Sequence, residues 1–473
     1  MYRTVRAAFH LHSVYSHDAC DGNGLPDGSP NLPCLASLRA ALCSSTLEAV
    51  SLTDHPSFME DYLFEELVLY DGALGDRLVL ENGEPIANEL ACADGRRVLL
   101  MVGYESTHTM PLGLRHHVAE EFYAAITNDR PLEQSQALVQ ALKDAGAVVS
   151  MAHSEEDDIS AERIVASGLD SMEWYNPHGN IKHDLGGDSL TGGLEAVSGL
   201  LDIFEPYVQG SSSAAHPDLF YLVLLQQWPA EGFDKWRTVN QSRPVTGIFG
   251  NDVHENVSVE PLCARDNVLE QLACVAAAEA VLSPALAGLA TGGTILLKDG
   301  QRMDAYARFL RLLQNRILVP TLTMDELTSA LRKGRSYGVY TVFGEPTGFA
   351  FTATDAAGAT WTMGDQRQGA LTLHVKVPAV PTTLPGGPTY TATEAAQMIV
   401  RLVVRRVDAT GTTTVHESTG LGRTIDLPVS ATGAYFVELW TKPEHLRTAL
   451  DTEGANADHE YLWVITNPIR LVP

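Results

Sequence analysis

The sequence is short of positive charge. Its 473 residues include 32 lysines and arginines against 59 aspartates and glutamates, which gives a formal charge of −27. The basic residues form no long cluster that would neutralise a run of phosphates, so we expect no nucleic acid among the partners of this protein. An excess of carboxylates favours solubility in general, and it indicates bound cations only where carboxylates and histidines cluster.

Long apolar runs are absent as well. No window approaches the roughly 18 consecutive apolar residues that a membrane-spanning helix needs, and no signal-peptide pattern precedes the first strand-like run, "TVRAAFHLH". We therefore expect a soluble chain without a membrane span. Two locations stay open: the cytoplasm and, if a signal peptide has been removed, the periplasm or the cell exterior.

Cysteine is sparse, and its spacing excludes some metal sites. No two of the six cysteines form a C-x-x-C pair, which argues against a zinc knuckle and against a thioredoxin-like motif. Cys20, Cys34 and Cys43 lie close together in the sequence. A disulfide among these three would suit an oxidising compartment.

The first half of the chain has the sequence pattern of repeated β-α units. Short apolar runs rich in β-branched residues alternate with helical patterns up to about residue 254, as in a parallel sheet or barrel. The strand-like runs are "TVRAAFHLH", "LEAVSLTDH", "RVLLMVGYES", "GAVVSMAH", "LDSMEWYN" and "PVTGIFGNDVH". A helix is predicted from Pro131 to Ala145, and a helical insertion over about 186–242.

A helical closing segment is predicted over about 275–335. Its last helix begins with a capping box, because Thr323 precedes Glu326 by three residues, and Gly334 is placed to end it. Beyond this point the pattern changes to alternating strands such as "LTLHVKV", "IVRLVVRRV" and "AYFVELWT". We predict a barrel domain over 1–338 and an all-β sandwich over 339–473.

Ligand-type side chains stand where the strand-like runs end. They are His10, His12, His17 and Asp18 after the first run, Asp54 and His55 after the second, Glu105, His153, Glu173 and Asn176 after the next three, and Asp252 with His254 after the last. In a parallel barrel the carboxyl ends of all strands meet on one face, so these side chains should converge.

The spacing favours a metal site over a set of ordinary turns. Residues two apart in a strand point the same way, so His10 and His12 form a pair of ligands, as do Asp252 and His254. Any one histidine at a strand end is more often simply hydrogen-bonded or exposed, but turns after ordinary strands favour Gly, Asn and Ser. Imidazole with carboxylate suits zinc, manganese or iron, and the lack of cysteine ligands indicates a catalytic site.

The series "HLH", "TDH", "GYE", "SMAH", "MEWYN" and "NDVH" resembles the motifs of the PHP family, the polymerase and histidinol phosphatase superfamily of metal-dependent phosphoesterases. The resemblance implies a distorted (β/α)7 barrel with two or three divalent metal ions, which hydrolyses phosphoesters through a metal-bound hydroxide. It implies that His10, His12, Glu105 and Asp252 hold one ion, with Glu105 as a bridge. It implies further that His55, His254 and either His17 or Asp18 hold others, that His153 holds a third or shared ion, and that Asp54 either supports the ligands from behind or handles protons.

Two parts of this assignment stay open. The ligand after the H-x-H pair is either His17 or Asp18, and we prefer Asp18 because of the "S-x-D-A" spacing. The ligands of a third ion are also open, because Glu173 and Asn176 end the fifth run where relatives often have another histidine. Glu173 is a candidate ligand there.

The second half resembles the PHP subgroup that includes carbaryl hydrolase, in which a β-sandwich follows the barrel. That subgroup leaves three functions open for a small-molecule substrate: phosphoester hydrolysis, which we favour, hydrolysis of an ester, amide or carbamate, and binding without catalysis. Cationic side chains for the substrate are predicted after the Glu105 strand and after the last run: Arg115, His116, His117 and Arg265. His108 and His178 are candidates either for partners behind the metal ligands or for a proton donor to the leaving group.

Overall fold

The computed structural model describes residues 2–179, 204–226, 230–259 and 293–473. The strands of the first half are β1 (Arg3–Leu11), β2 (Ala49–Leu52), β3 (Arg77–Glu81), β4 (Glu84–Ala91), β5 (Arg97–Gly103), β6 (Met110–Leu114), β7 (Val148–Met151), β8 (Ser171–Tyr175), β9 (Thr246–Val253), β10 (Ser258–Val259), β11 (Gly293–Thr294), β12 (Gln314–Val319) and β13 (Ser336–Val339). Those of the second half are β14 (Ala350–Asp355), β15 (Thr360–Thr362), β16 (Gln366–Gln368), β17 (Leu371–Lys376), β18 (Ile399–Asp408), β19 (Gly411–Thr419), β20 (Thr424–Val429), β21 (Gly433–Lys442), β22 (Tyr461–Thr466) and β23 (Ile469–Val472).

The helices are α1 (Ala19–Gly22), α2 (Leu32–Ser44), α3 (Phe64–Leu67), α4 (Leu132–Asp144), α5 (Ala161–Ser167), α6 (Tyr221–Gln226), α7 (Glu231–Ser242), α8 (Tyr306–Leu312), α9 (Met324–Lys333), α10 (Ala392–Ala395) and α11 (Arg447–Leu450). The predicted helix from Pro131 to Ala145 is therefore present as α4. About the first third of the predicted insertion (186–203), residues 227–229 within it, the first part of the closing segment (275–292) and Arg265 lie outside the described residues. The described remainder of the insertion contains α6 and α7, so it is helical there as predicted.

Seven strands close into a barrel. They follow the order β1, β2, β5, β6, β7, β8 and β9, and β9 returns to pair with β1. All neighbours in this ring are parallel except β6, which runs antiparallel to both β5 and β7. The six predicted runs supply the six parallel strands. They are buried along almost their whole length, so they read as continuous apolar runs.

The barrel departs from seven repeated β-α units in two places. The hairpin β3–β4 extends the sheet beyond β5, and a short turn rather than a helix joins β5 to β6. Neither departure was predicted. Because β6 runs backwards, the residues after it leave the opposite end of the barrel from the strand ends that carry the ligand-type side chains.

The helix α9 closes the barrel at its amino-terminal end. Thr323 accepts a hydrogen bond from the Glu326 N–H at 3.2 Å, and Gly334 ends the helix at φ 75°, as predicted. Of the predicted capping box, the bond to the Thr323 side chain is the part that is confirmed. One buried cluster combines this helix with the inside of the barrel: Ala7, Phe9, Ala49, Leu99, Met101, Leu112, Val148, Ile248, Met324, Leu327 and Leu331. The barrel interior is therefore a packed apolar core beneath the polar face.

The C-terminal region is mainly β-structure and is joined to the barrel by hydrogen bonds. The strands β15, β14, β17 and β20 form one sheet, whereas β22 pairs with β13, which in turn pairs with β12 beside β1. The predicted boundary between residues 338 and 339 falls inside β13. The sheet of the first half therefore continues into the second half.

Two disulfides are present among the described residues. One joins Cys20 to Cys34 and the other joins Cys43 to Cys92. The first lies within the N-terminal trio, for which the sequence left a disulfide open, and the second joins a pair that the sequence did not single out. No helix among the described residues is long and apolar enough to cross a membrane.

Candidate metal centre

The carboxyl-terminal face of the barrel gathers most of the predicted ligand residues, but simple strand alternation does not bring them there. His10, His153 and Asp252 have φ values of 63°, 49° and 47°, in the left-handed region. The register of β1 against both β2 and β9 shifts between Phe9 and Leu11, so His10 lies in a bulge. A left-handed backbone costs a non-glycine residue about 1 kcal/mol or more, and such positions cluster at functional sites.

His10, His12, Glu105 and Asp252 form the first cation group. Their potential ligand atoms all lie within 4.8 Å of one another, and all four residues are buried. The Nε2 atom of His10 is 3.2 Å from both Glu105 Oε2 and Asp252 Oδ1, and Nε2 of His12 is 3.4 and 3.5 Å from the same two oxygens. Ligand atoms bound to one zinc ion at about 2.0–2.1 Å lie about 3.0–3.4 Å apart, so these spacings fit a single cation.

His12, Asp18, His55 and His254 form the second cation group, which shares His12 with the first. Asp18 Oδ2 lies 3.6 Å from His55 Nε2 and 3.4 Å from His254 Nε2. The rings of His12 and His254 stack with centroids 3.6 Å apart. Two candidate cation positions therefore lie side by side.

The second nitrogen of each histidine is held by an acceptor, which directs Nε2 toward the groups. Nδ1 of His10 donates to Glu173 Oε1 at 2.7 Å, and Nδ1 of His55 donates to the backbone carbonyl of Glu105 at 3.1 Å. Nδ1 of His12 donates to the Ser16 hydroxyl oxygen at 3.1 Å, and that hydroxyl in turn donates to Asp18 at 2.9 Å. With Nδ1 held in this way, Nε2 is the nitrogen that would give its lone pair to a cation once the cation has displaced the proton, as metal-binding histidines require.

Several atoms that face this space are buried without any hydrogen-bond partner among the described residues. They are His10 Nε2, His12 Nε2, His254 Nε2 and Asp252 Oδ1. Buried polar atoms are normally satisfied, because an unsatisfied one costs about 1–3 kcal/mol. Four such atoms that converge on one space fit residues arranged to hold divalent cations.

The electrostatics also match a site for cations. Burial lowers the pKa of His10, but Asp252, Glu173 and Glu105 outweigh burial and raise that pKa well above its usual value. Burial likewise opposes the protonation of His12, yet Asp252 and Glu105 raise its pKa to about 9. Burial would raise the pKa values of Glu105 and Asp252, but the surrounding histidines lower both well below the usual range. The carboxylates thus keep their charge and attract protons or cations to the histidines.

His153 lies beside the first cation group, but it does not form a third cation group with its neighbours among the described residues. Its Nε2 atom is 2.7 Å from Glu105 Oε1 and 3.7 Å from Asp252 Oδ2, so Glu105 lies between His153 and the other histidines. Glu155 holds the opposite nitrogen of His153 at 3.1 Å.

Glu173 does not join the ligand atoms. Its carboxylate accepts hydrogen bonds from His10 Nδ1 and, at 2.8 Å, from the His153 backbone N–H, so the expectation of Glu173 as a ligand is corrected to a partner behind His10 and His153. Asn176, at the end of the same strand, donates to Asp252 Oδ2 at 2.9 Å.

Three further candidates lie around the groups. His17 is exposed, with its ring 4.9 Å from the ring of His55, and belongs to neither group, whereas Asp18 belongs to the second. Asp54 accepts hydrogen bonds from the Ser13 backbone N–H and, at 2.8 Å, from its hydroxyl, so it holds the loop after β1, and burial raises its pKa. His178 lies with its ring 5.2 Å from that of His254, at the side of the second group.

Arg115 lies elsewhere, which corrects its predicted role at the mouth. Arg115 forms ion pairs with Glu81 and Asp325, and its backbone N–H donates to Ala145 at the amino-terminal end of β7. His117 is bonded to the Tyr62 carbonyl and the Tyr123 hydroxyl. The position of Arg115 follows from the antiparallel β6, whose carboxyl end points away from the candidate metal centre. His117 is held by its two partners, and its predicted role stays a prediction.

His108 belongs to a separate group with Glu156 and Asp158. Its buried ring faces the Ala152 carbonyl with Nδ1, at 3.3 Å, and Asp158 Oδ1 with Nε2, at 2.5 Å. His108 is therefore placed as the partner of a loop carboxylate, and not as a donor within either cation group.

Sequence reasoning missed three residues that support the site. Ser16 links His12 to Asp18, Glu155 holds His153, and the Tyr306 hydroxyl donates to the His12 backbone carbonyl at 2.8 Å. Glu155 follows His153 by two residues, which is a usable signal. Tyr306 is far from His12 in the sequence and carries no such signal.

Comparisons with known proteins add little to this geometry. No family model and no curated protein matches the chain. The chain is similar to a solved two-domain protein from Bacteroides vulgatus, described as containing a predicted PHP-like metal-dependent phosphoesterase, at 12% identity and a TM-score of 0.34 over 92% of this chain and 90% of that one. It is also similar to PsfC from Pseudomonas syringae, at 16% identity and a TM-score of 0.22 over 37% of this chain and 66% of that one. Because both TM-scores are low, the interpretation of the site rests on the geometry of this chain.

Proposed function

We propose that this protein is a metal-dependent hydrolase and that its substrate is a small phosphoester. The observation that carries the proposal is the pair of cation groups, which share His12 and contain buried ligand atoms without hydrogen-bond partners among the described residues. Divalent cations held there would supply Lewis acidity, by lowering the pKa of water and by neutralising the negative charge that develops on the substrate. The resemblance of the strand-end motifs to PHP phosphoesterases supports the same reaction.

The residues of the chain would divide the work as follows. His10, His12, Glu105 and Asp252 would hold one cation, and Asp18, His55 and His254 would hold its neighbour with His12 beside them. Glu173, Ser16 and the Glu105 carbonyl would keep the histidines in the required tautomer. His178, beside His254, is the proposed proton donor to the leaving group.

Hydrolysis of an ester, amide or carbamate is the second candidate function. Among the described residues, the ion-pair partners of Asp18, Glu105 and Asp252 are all histidines, and Arg115, expected to contact a phosphate, pairs instead with Glu81 and Asp325. The described part of the chain thus shows no arginine or lysine clamp for a phosphate next to these carboxylates. A neutral carbonyl substrate needs no such clamp. This observation keeps the second candidate beside the first.

A substrate comparison tests the proposal. Protein stripped of metal and reloaded with manganese or zinc would be assayed on a panel of nitrophenyl phosphates and on naphthyl esters and carbamates. We expect phosphoester hydrolysis that depends on added metal and is lost in Asp252→Asn. His374→Ala is the matched control, because His374 also pairs with a carboxylate, at 2.6 Å to Asp426, but lies on β17. Hydrolysis of the carbonyl substrates alone would favour the second candidate, and no turnover of either class would contradict both.

A further inference from the structure

Asp18 differs from the other members of the second cation group in how the fold holds it. His12 and His254 directly follow β1 and β9, and His55 follows β2 by three residues. Asp18 instead lies in the loop between β1 and α2, and a third of its side chain is exposed. The barrel alone therefore does not fix its position.

The short segment after Asp18, α1 (Ala19–Gly22), is not a regular helix and has backbone angles that its sequence disfavours. It is called the α1 loop below. Cys20, Asp21 and Gly22 have φ values of 58°, 57° and 72°, so three consecutive residues are left-handed and only the last is glycine. L-residues other than glycine avoid this region, because Cβ approaches the following carbonyl oxygen. Contacts from outside the α1 loop must therefore maintain it.

Three kinds of contact do so. The Cys20–Cys34 disulfide ties the α1 loop to the first turn of α2. The N–H groups of Cys20 and Asp21 donate to the carbonyls of His254 and Glu255, at 2.9 and 3.0 Å. The Asp21 carboxylate accepts two hydrogen bonds from the Arg302 guanidinium, at 2.5 and 2.9 Å.

The same tethers connect the α1 loop to the cation groups. The backbone carbonyl that receives the Cys20 N–H belongs to His254, a member of the second group. On the other side of the disulfide, Cys34 Sγ lies 4.0 Å from the Tyr306 hydroxyl, which donates to the His12 carbonyl. The disulfide thus joins two segments that each contact the backbone of a group member.

We propose that the Cys20–Cys34 disulfide, aided by the Asp21–Arg302 ion pair, is the positioning device that delivers Asp18 to the His55–His254 cation site. The second site is then complete only in the protein with this disulfide formed. This inference rests on the proposed function, because it assumes that the second group holds a cation. It assigns Cys20, Cys34, Asp21 and Arg302 as positioning residues that touch neither cation nor substrate.

Metal binding to disulfide variants tests the proposal. Cys20→Ser/Cys34→Ser would be compared with Cys43→Ser/Cys92→Ser, which removes the other disulfide, and with Asp18→Asn and His17→Ala. Titration with Mn²⁺ alone should show that the Cys20/Cys34 variant and Asp18→Asn lose affinity at one site by about 10- to 100-fold, while the other site is unchanged. The Cys43/Cys92 variant and His17→Ala should keep both sites. Electron paramagnetic resonance should show a coupled Mn²⁺ pair only in the proteins that keep both.

Arg302→Gln is the second variant, since it loosens the α1 loop without removing a disulfide, and it should weaken the same site. Circular dichroism would establish that each variant is folded. Asp18→Asn should lose one Mn²⁺ site. If it does, but the Cys20/Cys34 variant and Arg302→Gln both keep two intact sites, the positioning role is overturned. If the wild-type protein binds no Mn²⁺ pair at all, the proposed function itself fails, which is a distinguishable result.

Discussion

At the scale of single residues, the candidate metal centre depends on partners behind the ligand atoms. Glu173 is fully buried and shares its two oxygens between His10 Nδ1 and the His153 backbone N–H. The anionic carboxylate fixes the tautomer of His10 and would make it a stronger ligand for a cation, as acceptors behind metal-bound histidines generally do.

Glu173→Gln should therefore weaken cation binding although Glu173 is outside both groups. The amide keeps the shape of the side chain but loses its charge, so we expect metal affinity to fall about 10- to 100-fold. Calorimetric titration with Zn²⁺ or Mn²⁺ would measure the change. Glu120→Gln, at an exposed carboxylate outside all of these groups, is the control and should bind normally. Unchanged affinity in Glu173→Gln would contradict the role of Glu173.

A buried histidine far from the candidate metal centre gives a pH dependence of stability. His445 donates from Nε2 to the Phe343 carbonyl at 3.1 Å, and burial lowers its pKa to about 4. The unfolded chain has a histidine pKa of about 6.5, so it binds more protons than the folded protein between these two values. The free energy of unfolding should then fall as the pH falls from about 6.5 to about 4, by on the order of 3 kcal/mol.

His445→Gln should remove this part of the pH dependence, because glutamine can donate to the same carbonyl and does not titrate. Urea denaturation at several pH values from 7 to about 4 would compare the two proteins. The wild-type protein should lose stability faster than the variant over this interval. Parallel curves would show that His445 does not carry the effect.

At the scale of secondary-structure elements, the sequence predicted which segments form strands better than it predicted the backbone geometry and direction of those strands. All six parallel barrel strands, α4 and the cap of α9 were predicted, because apolar runs, helical spacing and capping residues are local signals. The bulge at His10 and the reversed β6 were not, since both depend on pairing with strands far away in the sequence. For this reason the convergence of the histidines was predicted correctly, but Arg115 was assigned to the wrong end of the barrel.

The capping residue of α9 offers a test at this scale. Thr323→Ala should destabilise the protein by about 1 kcal/mol, because the Glu326 N–H loses its acceptor. Thr323→Ser keeps a hydroxyl and should restore most of that stability. Thermal unfolding of the three proteins would measure the difference, and equal stability of the alanine variant and wild type would argue against the cap.

At the scale of the whole molecule, one sheet runs from the barrel into the C-terminal region. β13 pairs with β12 on one side and with β22 on the other. Beyond β22, the buried side chain of Asn467 accepts from the Gly247 N–H at 2.8 Å and donates to the Gly247 carbonyl at 2.9 Å, so it bonds directly to β9. The two halves should therefore unfold together.

We expect a single thermal transition for the wild-type protein when it is followed by calorimetry. Asn467→Ala should lower the free energy of unfolding by roughly 2 kcal/mol or more, because it leaves buried backbone groups of Gly247 without partners. Lys442→Ala, at an exposed residue of β21, is the control and should change little. Two separate transitions in the wild-type protein would contradict the coupling.

The most direct test of the central claim is the metal content of the protein purified without chelator. Plasma mass spectrometry of the wild-type protein should find at least two divalent cations per chain, because the two groups provide two adjacent positions. His10→Ala/His12→Ala removes a ligand from the first group and the residue that both groups share, so this variant should lose most of the bound metal. Fewer than two cations in the wild-type protein, or unchanged metal loading in the double variant, would contradict the account.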